Sequence, residues 1–181
     1  MVLNRGNRRV SYDFSLFLPQ PGVDPLVTAQ RLADAEWDDA NPGPPLPAKE
    51  ARKRAIADAL TEVDPSLNVV QFGFEEIAKL QNISLENART RFRHLELDGP
   101  EHGPGIQIAL FDDSGSLTVP YWHKDTRAKD VFAKIWQYLK VIQEVAGYQI
   151  YDPQMECIID LGSDLDRATE RYTDVVKRVI G

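Results

Sequence analysis

The sequence predicts an α+β fold: a mostly antiparallel sheet with helices packed on one face, and a split βαβ arrangement as a candidate core. Three observations predict it. Residues 105–154 read as strand, tight turn, strand, long amphipathic helix, strand and stop. Over the whole chain the order is strand, helices, strands, helix, strands, helix, which suits one sheet with its helices on a face. The chain has 181 residues, 43% of them hydrophobic and 27% charged. That is the size of one domain, and a domain of this size buries about 70% of its unfolded surface without needing cross-links.

Each element has its own local reason. Residues 1–10 are basic and without apolar pattern, and read as a flexible tail. In Tyr12-Asp13-Phe14-Ser15-Leu16-Phe17-Leu18 the apolar Tyr12, Phe14, Leu16 and Leu18 share one face, a strand ended by Pro19 and Pro21. Asp24-Pro25 starts a helix, and Leu26, Ala29, Leu32 and Ala33 form its stripe up to about Trp37. Residues 41–47 hold four prolines, Pro42, Pro44, Pro45 and Pro47, which remove backbone donors and favour an extended linker between helices. A helix over about 48–63 follows, with Ala51, Ala55, Ile56, Ala59, Leu60 and Val63 on one face. Lys49, Arg52, Lys53 and Arg54 crowd its N-terminal end, opposing the helix dipole.

Residues 67–72 suit a short strand, residues 74–80 a helix, and residues 91–97 alternate like a strand. The turn Asp112-Asp113-Ser114-Gly115 joins two strands in a hairpin. Asp125 or Thr126 begins the long helix of about 127–146, with Val131, Phe132, Ile135, Trp136, Leu139, Ile142 and Val145 on its apolar face and Gly147 as its stop. Residues 148–151 and 156–161 are strands around the Asp152-Pro153-Gln154 turn. The last helix buries Leu165, Ala168, Tyr172, Val175, Val176 and Val179.

Composition narrows the function. A net charge of −7 keeps the chain soluble and disfavours non-specific attraction to nucleic acid or an anionic membrane. Cys157 is the only cysteine, so neither an internal disulfide nor a thiolate-rich zinc site can form, which fits a reducing cytoplasm. The start, residues 1–9, is basic without an apolar core and does not read as a signal peptide, and no run approaches the ~20 apolar residues of a membrane span.

Few motifs carry chemistry. The Gly99–Gly105 loop is interrupted by Pro100 and Pro104 and leads into a strand, so it is no phosphate cradle. Asp112 and Asp113 are paired carboxylates, a pattern that can bind a hard cation, but hairpin geometry explains them as well. His123 follows Trp122 at a strand end, where it could serve as a general base. If the first strand neighbours the strand ending at Asp152, then Asp13, His123, Tyr151 and Asp152 are candidates for a ligand-binding rim. Ser163 and Cys157 lack the surroundings of a nucleophile. No cofactor, metal ligand set or catalytic group is implied.

Residues 74–92 resemble a DNA-binding helix-turn-helix. In that resemblance Ala78 packs the two helices, Asn82 replaces the usual turn glycine, Ser84 caps the second helix, and Arg89 and Arg91 would face DNA. The acidic balance of the chain argues against that role. A second resemblance rests on Ser11-Tyr12-Asp13, on Gly105-Ile106-Gln107-Ile108 leading to Pro120-Tyr121-Trp122, and on Gly147-Tyr148 through Tyr151-Asp152-Pro153-Gln154. This set is similar to a group of small uncharacterised bacterial proteins, some of which resemble immunity proteins that neutralise a toxin. The resemblance implies no known reaction, and the acidic, compact α+β chain without a catalytic signature reads as a non-catalytic bacterial cytoplasmic protein whose partner is another protein. The net charge adds that this partner could be basic. A small-ligand or metal-dependent enzyme using Asp13, His123 and Asp152, and a DNA-binding regulator, are the alternatives.

Overall fold

The computed structural model of the protein describes residues 11–34 and 45–180. The expected basic tail at 1–10 and the first part of the proline linker, 41–44, lie outside them.

The alternation at the start of the chain makes β1 (Ser11–Phe17) an interior strand of the sheet. It pairs antiparallel with β5 (Ser114–Pro120) on one side, in the register Tyr12↔Val119, and with β6 (Gln149–Asp152) on the other, in the register Ser15↔Tyr151. Both neighbours run opposite to β1, so they run parallel to each other. The helix that joins them is α5 (Asp125–Ala146). This is the split βαβ unit. Around it lie β2 (Asn68–Val69), β3 (Leu95–Asp98), β4 (Gln107–Leu110) and β7 (Cys157–Ile158), in the order β2-β3-β4-β5-β1-β6-β7 with every pairing antiparallel.

The period-2 pattern sends Tyr12, Phe14, Leu16, Leu97, Ile108, Leu110, Leu117, Val119 and Ile150 to one face, all buried. Three helices cover that face: α2 (Pro47–Val63), α5, and α6 (Leu165–Ile180). They contribute Ile56 and Leu60, Phe132, Ile135, Trp136 and Leu139, and Ala168, Tyr172 and Val176 to the same core. Burying each large apolar side chain contributes about 1.5–3 kcal/mol. Helix α5 packs against both α2 and α6. It ends at Gly147, whose φ of 70° suits a residue without Cβ. Asp64 at the end of α2 accepts hydrogen bonds from Lys134 and Tyr138 of α5 and from Ser66.

The short helix α1 (Pro25–Asp34) lies on the other face, over β1, β6 and β7. There Ala29 joins Phe17 and Tyr151 in a small second cluster. The stripe expected for α1 is narrower than the sequence suggests, because Leu32 is exposed.

The buried face of α2 is also turned from the expected one. Ala51, Ala55 and Val63 are exposed, while Lys53 and Ala57 are buried with Ile56 and Leu60. Alanine is small enough to sit on either side and so carries little directional signal. Lys53, one of the charges crowding the N-terminal end, is buried because carboxylates meet it.

Between α2 and β4 the chain forms α3 (Phe74–Gln81) and α4 (Leu85–Arg91). Residues 91–94 belong to the end of α4 and the following turn, so the strand read over 91–97 is confined to β3.

Candidate functional site

The β1–β6 neighbourhood proposed from sequence exists, but the pleat divides its residues. Asp152 falls on the core face and is fully buried. Its Oδ2 accepts the Tyr12 hydroxyl at 2.5 Å, and its Oδ1 accepts the N–H groups of Gln154 at 2.7 Å and Met155 at 3.0 Å. Burial pushes this carboxyl up, against the Tyr12 and backbone hydrogen bonds that favour its charge. Burial and the adjacent carboxylate hold the Tyr12 hydroxyl protonated, far above the ordinary phenol value. Asp152 is thus both the turn former before Pro153 and the anchor of a buried tyrosine.

Asp13 points to the other face. Its Oδ1 accepts Ser11 Oγ at 3.0 Å, and its N–H donates to Gln154 Oε1 at 3.2 Å. Tyr151 shares that face but is enclosed with Phe17 and Ala29.

His123 is buried beyond the end of β5. Its N–H donates to the Tyr172 hydroxyl at 3.1 Å, and its Nε2 lies 2.7 Å from the Pro104 carbonyl. Burial depresses its pKa, against the Pro104 hydrogen bond, and the charge of Arg127 adds to the depression. The ring is therefore neutral at pH 7, and Nε2–H is the donor to Pro104. An aromatic cluster of Tyr12, Phe132, Tyr121 and Tyr172 stands between Asp152 and His123. The structure brings Asp152 to Tyr12 and His123 to Tyr172. It does not bring Asp13, His123, Tyr151 and Asp152 to one rim.

The paired carboxylates of the β4–β5 turn are occupied by cations from within the chain. Arg93 grips Asp112 with two hydrogen bonds, Nη1 to Oδ1 at 2.9 Å and Nη2 to Oδ2 at 2.7 Å. Lys53 Nζ lies 3.4 Å from Asp112 Oδ1 and 2.8 Å from Glu50, and donates to the Arg93 carbonyl at 3.0 Å. Arg52 and Lys49 hold Asp113. Burial tends to raise the Asp113 carboxyl, but the Lys49 and Arg52 contacts outweigh it and hold it below the usual range. The basic cluster at the start of α2 is therefore the counter-charge of the hairpin turn. Sequence reading singled out both groups without joining them, because about 60 residues separate them. Opposite charges in excess on two local elements were the available signal. Among the described residues no group of three or more His, Cys, Asp or Glu side chains is placed to hold a metal ion.

Residues 74–92 do form two short helices and a turn. Asn82 takes the left-handed conformation with φ 51°, and Ser84 Oγ accepts the Asn87 N–H at 3.1 Å as the cap of α4. Helix α3 starts with Glu75 and Glu76, and Arg93 just beyond α4 is engaged by Asp112 and Glu50. Cys157 lies beside Arg167, with its Sγ 3.1 Å from Nη2. Burial raises the thiol pKa against that cation, and the Asp152 and Asp164 charges reinforce it, so no activated thiolate is poised there.

The feature sequence reading missed is the sheet face opposite the core. By register, Asp13, Thr118, Gln107 and Asp98 lie in one row, and Ser15, Ser116, Ala109 and Glu96 in the next. Among the described residues, helix α1 covers the part of this face over β6, β7 and the Phe17 end of β1. The other residues are small or polar and half-buried or exposed, so this part of the face is in contact with solvent. Asp13, Glu96 and Asp98 put three carboxylates on it, and the strands place no Lys or Arg there. Burial raises the Asp98 carboxyl. Gln107, donating to its Oδ1 at 3.1 Å, opposes this, and the like charge of Glu96 adds to it.

Comparison of the chain with protein-family models, with curated proteins and with solved structures finds no match. Among the described residues no helix is long and apolar enough to cross a membrane.

Proposed function

We propose that this is a non-catalytic, immunity-like protein of a reducing cytoplasm that binds a basic partner protein on its open sheet face. The observation that carries this reading is the solvent-contacting face with Asp13, Glu96 and Asp98 and no Lys or Arg among the residues its strands place there. Like charges side by side on one face raise the energy of the free protein, as the upward push of Glu96 on Asp98 illustrates. A basic partner relieves that repulsion, and the complementary charge speeds its encounter and sets its orientation. The small side chains of Ser15, Ser116, Ala109 and Thr118 let another protein surface lie close, with hydroxyls and the Gln107 amide available for hydrogen bonds. The enzyme alternative draws no comparable support, since its candidate residues face different sides of the sheet.

The test is affinity capture from the native lysate with the tagged chain and with Glu96→Lys/Asp98→Lys. Both substituted side chains sit on the solvent-contacting face, so the variant should fold. Wild type should retain a stoichiometric basic protein whose recovery falls as salt rises, and the variant should lose it. Recovery of wild type alone, or of the same partner on both proteins, removes the reading.

A further inference from the structure

We propose that the corner around Trp122 is a second docking site, and that it takes an acidic peptide segment of a partner protein carrying an apolar side chain. The proposal is independent of the sheet-face reading, since it concerns another surface of opposite charge.

Trp122 is 60% exposed, yet it is held in place from several sides. Its N–H donates to the Pro120 carbonyl at 3.0 Å. Its ring lies so close over Gly105 that a Cβ there would stand 2.8 Å from Trp122 Cζ2 and 3.0 Å from the Pro120 ring. Gly105 has φ 70°, so the loop uses glycine both for its backbone and for the room it leaves to the indole. The residues on either side are buried. Tyr121 stacks on Tyr172 with centroids 5.5 Å apart, and His123 is tied to Tyr172 and Pro104. A large aromatic ring presented in a fixed orientation gives contact area at little conformational cost, and tryptophan is enriched among the residues that dominate interface energies.

The charge beside it selects the occupant. Lys124 at the N-cap of α5 and Arg127 on its first turn follow, exposed and in no ion pair among the described residues. Arg127 is close enough for its charge to depress the pKa of His123. Next to them, between the start of α5 and α6, is a pocket of about 130 Å³ lined by Lys124, Asp125, Thr173, Val176 and Lys177. Val176 gives it an apolar floor, and Lys177 spends part of its charge on Asp174 at 3.9 Å. Two cations without an ion pair among the described residues, Lys124 at the pocket and Arg127 beside it, therefore stand next to Asp125, with the exposed Asp130 one turn farther along α5, in a chain whose net charge is −7. An apolar side chain packing on the Trp122 ring and carboxylates reaching Lys124 and Arg127 complete the fit.

The experiment measures fluorescence anisotropy of a labelled peptide of alternating glutamate and leucine, titrated with the full chain at low and moderate salt. A matched, uncharged glutamine–leucine peptide and labelled oligothymidine are the competitors. The glutamate peptide should bind at least about tenfold tighter than either. Trp122→Ala should weaken it about tenfold or more, and Lys124→Glu/Arg127→Glu should remove it. The exposed Lys140→Glu, farther along α5, should leave it unchanged. The double charge variant alters only exposed side chains, so it decides the matter even if Trp122→Ala unfolds by circular dichroism. Equal affinity for the two peptides, tighter binding of the oligonucleotide, or binding that survives the Lys124→Glu/Arg127→Glu change overturns the proposal.

Discussion

Removing the Asp112 carboxylate is the most demanding test of how this fold is held together. The side chain is 2% exposed, and it accepts both terminal nitrogens of Arg93 and the ammonium of Lys53, which is 1% exposed. Asp112→Ala leaves these two buried cations with Glu50 as the carboxylate they share among the described residues, at 3.1 Å from Arg93 and 2.8 Å from Lys53. Breaking a buried pair from one side costs about 3–5 kcal/mol, and the surviving Glu50 contacts place the expectation near 3 kcal/mol. For a domain of this size that is a fall in Tm of roughly 6–12 °C. The neighbouring residue supplies the control. Asp113 is 54% exposed and pairs with Lys49 and Arg52 at the surface, so Asp113→Ala should cost under about 1 kcal/mol. Urea unfolding followed by far-UV circular dichroism compares the two variants with wild type. Asp112→Ala costing no more than Asp113→Ala would falsify the argument that the turn and α2 are joined by buried charge. An Arg93→Met/Asp112→Leu chain should recover part of the loss, since it removes both charges together.

Other consequences can be checked separately. Tyr12→Phe deletes the hydroxyl that satisfies Asp152 Oδ2 and should cost about 1–3 kcal/mol in denaturant unfolding; a neutral result would mean that water or Arg171 replaces it. His123 titrates below its unfolded value in the fold, so the unfolded chain takes up the proton first as pH falls. Stability should therefore decline as pH drops below about 6.5, and NMR should report the Nε2–H tautomer at pH 7, whereas a titration above 6.5 contradicts this. For Asp64 burial works upward, but the hydrogen bonds from Lys134, Ser66 and Tyr138 prevail and hold its pKa low. Its stabilisation is full above the ordinary carboxylate value and is lost as pH falls below about 4, so Asp64→Asn should flatten the acid limb of the stability curve. Gly105→Ala forces a side chain onto a φ of 70° and against Trp122; a loss of about 1–2 kcal/mol with a shifted Trp122 emission is expected, and an unchanged spectrum argues against the packed indole.

Much of the fold was legible because its signals are local. The alternation of β1, the β4–β5 hairpin, the long stripe of α5 with Gly147 behind it, and the Asn82–Ser84 turn each depend on residues within a few positions of one another. The shifted face of α2 was not legible, because alanines point nowhere in particular and Lys53 is buried only by virtue of carboxylates from another element. The candidate rim failed to assemble for an equally plain reason. Neighbouring strands bring Asp13 and Asp152 near in the sheet, but the pleat sends one side chain to each face.

Taken alone, the sequence determined the α+β class, offered the split βαβ arrangement as a candidate core and located most elements, though with longer bounds for β2, β3 and β7, since hydrophobic period and turn chemistry are written between near neighbours. Tertiary structure decided what the charged residues do. It set Arg93 and Lys53 on Asp112, Tyr12 on Asp152 across 140 positions, and left Asp13, Glu96 and Asp98 together on an open face. Those outcomes depend on which strands become neighbours and which surfaces lose water. Both are properties of the whole arrangement, and no stretch of sequence carries them by itself.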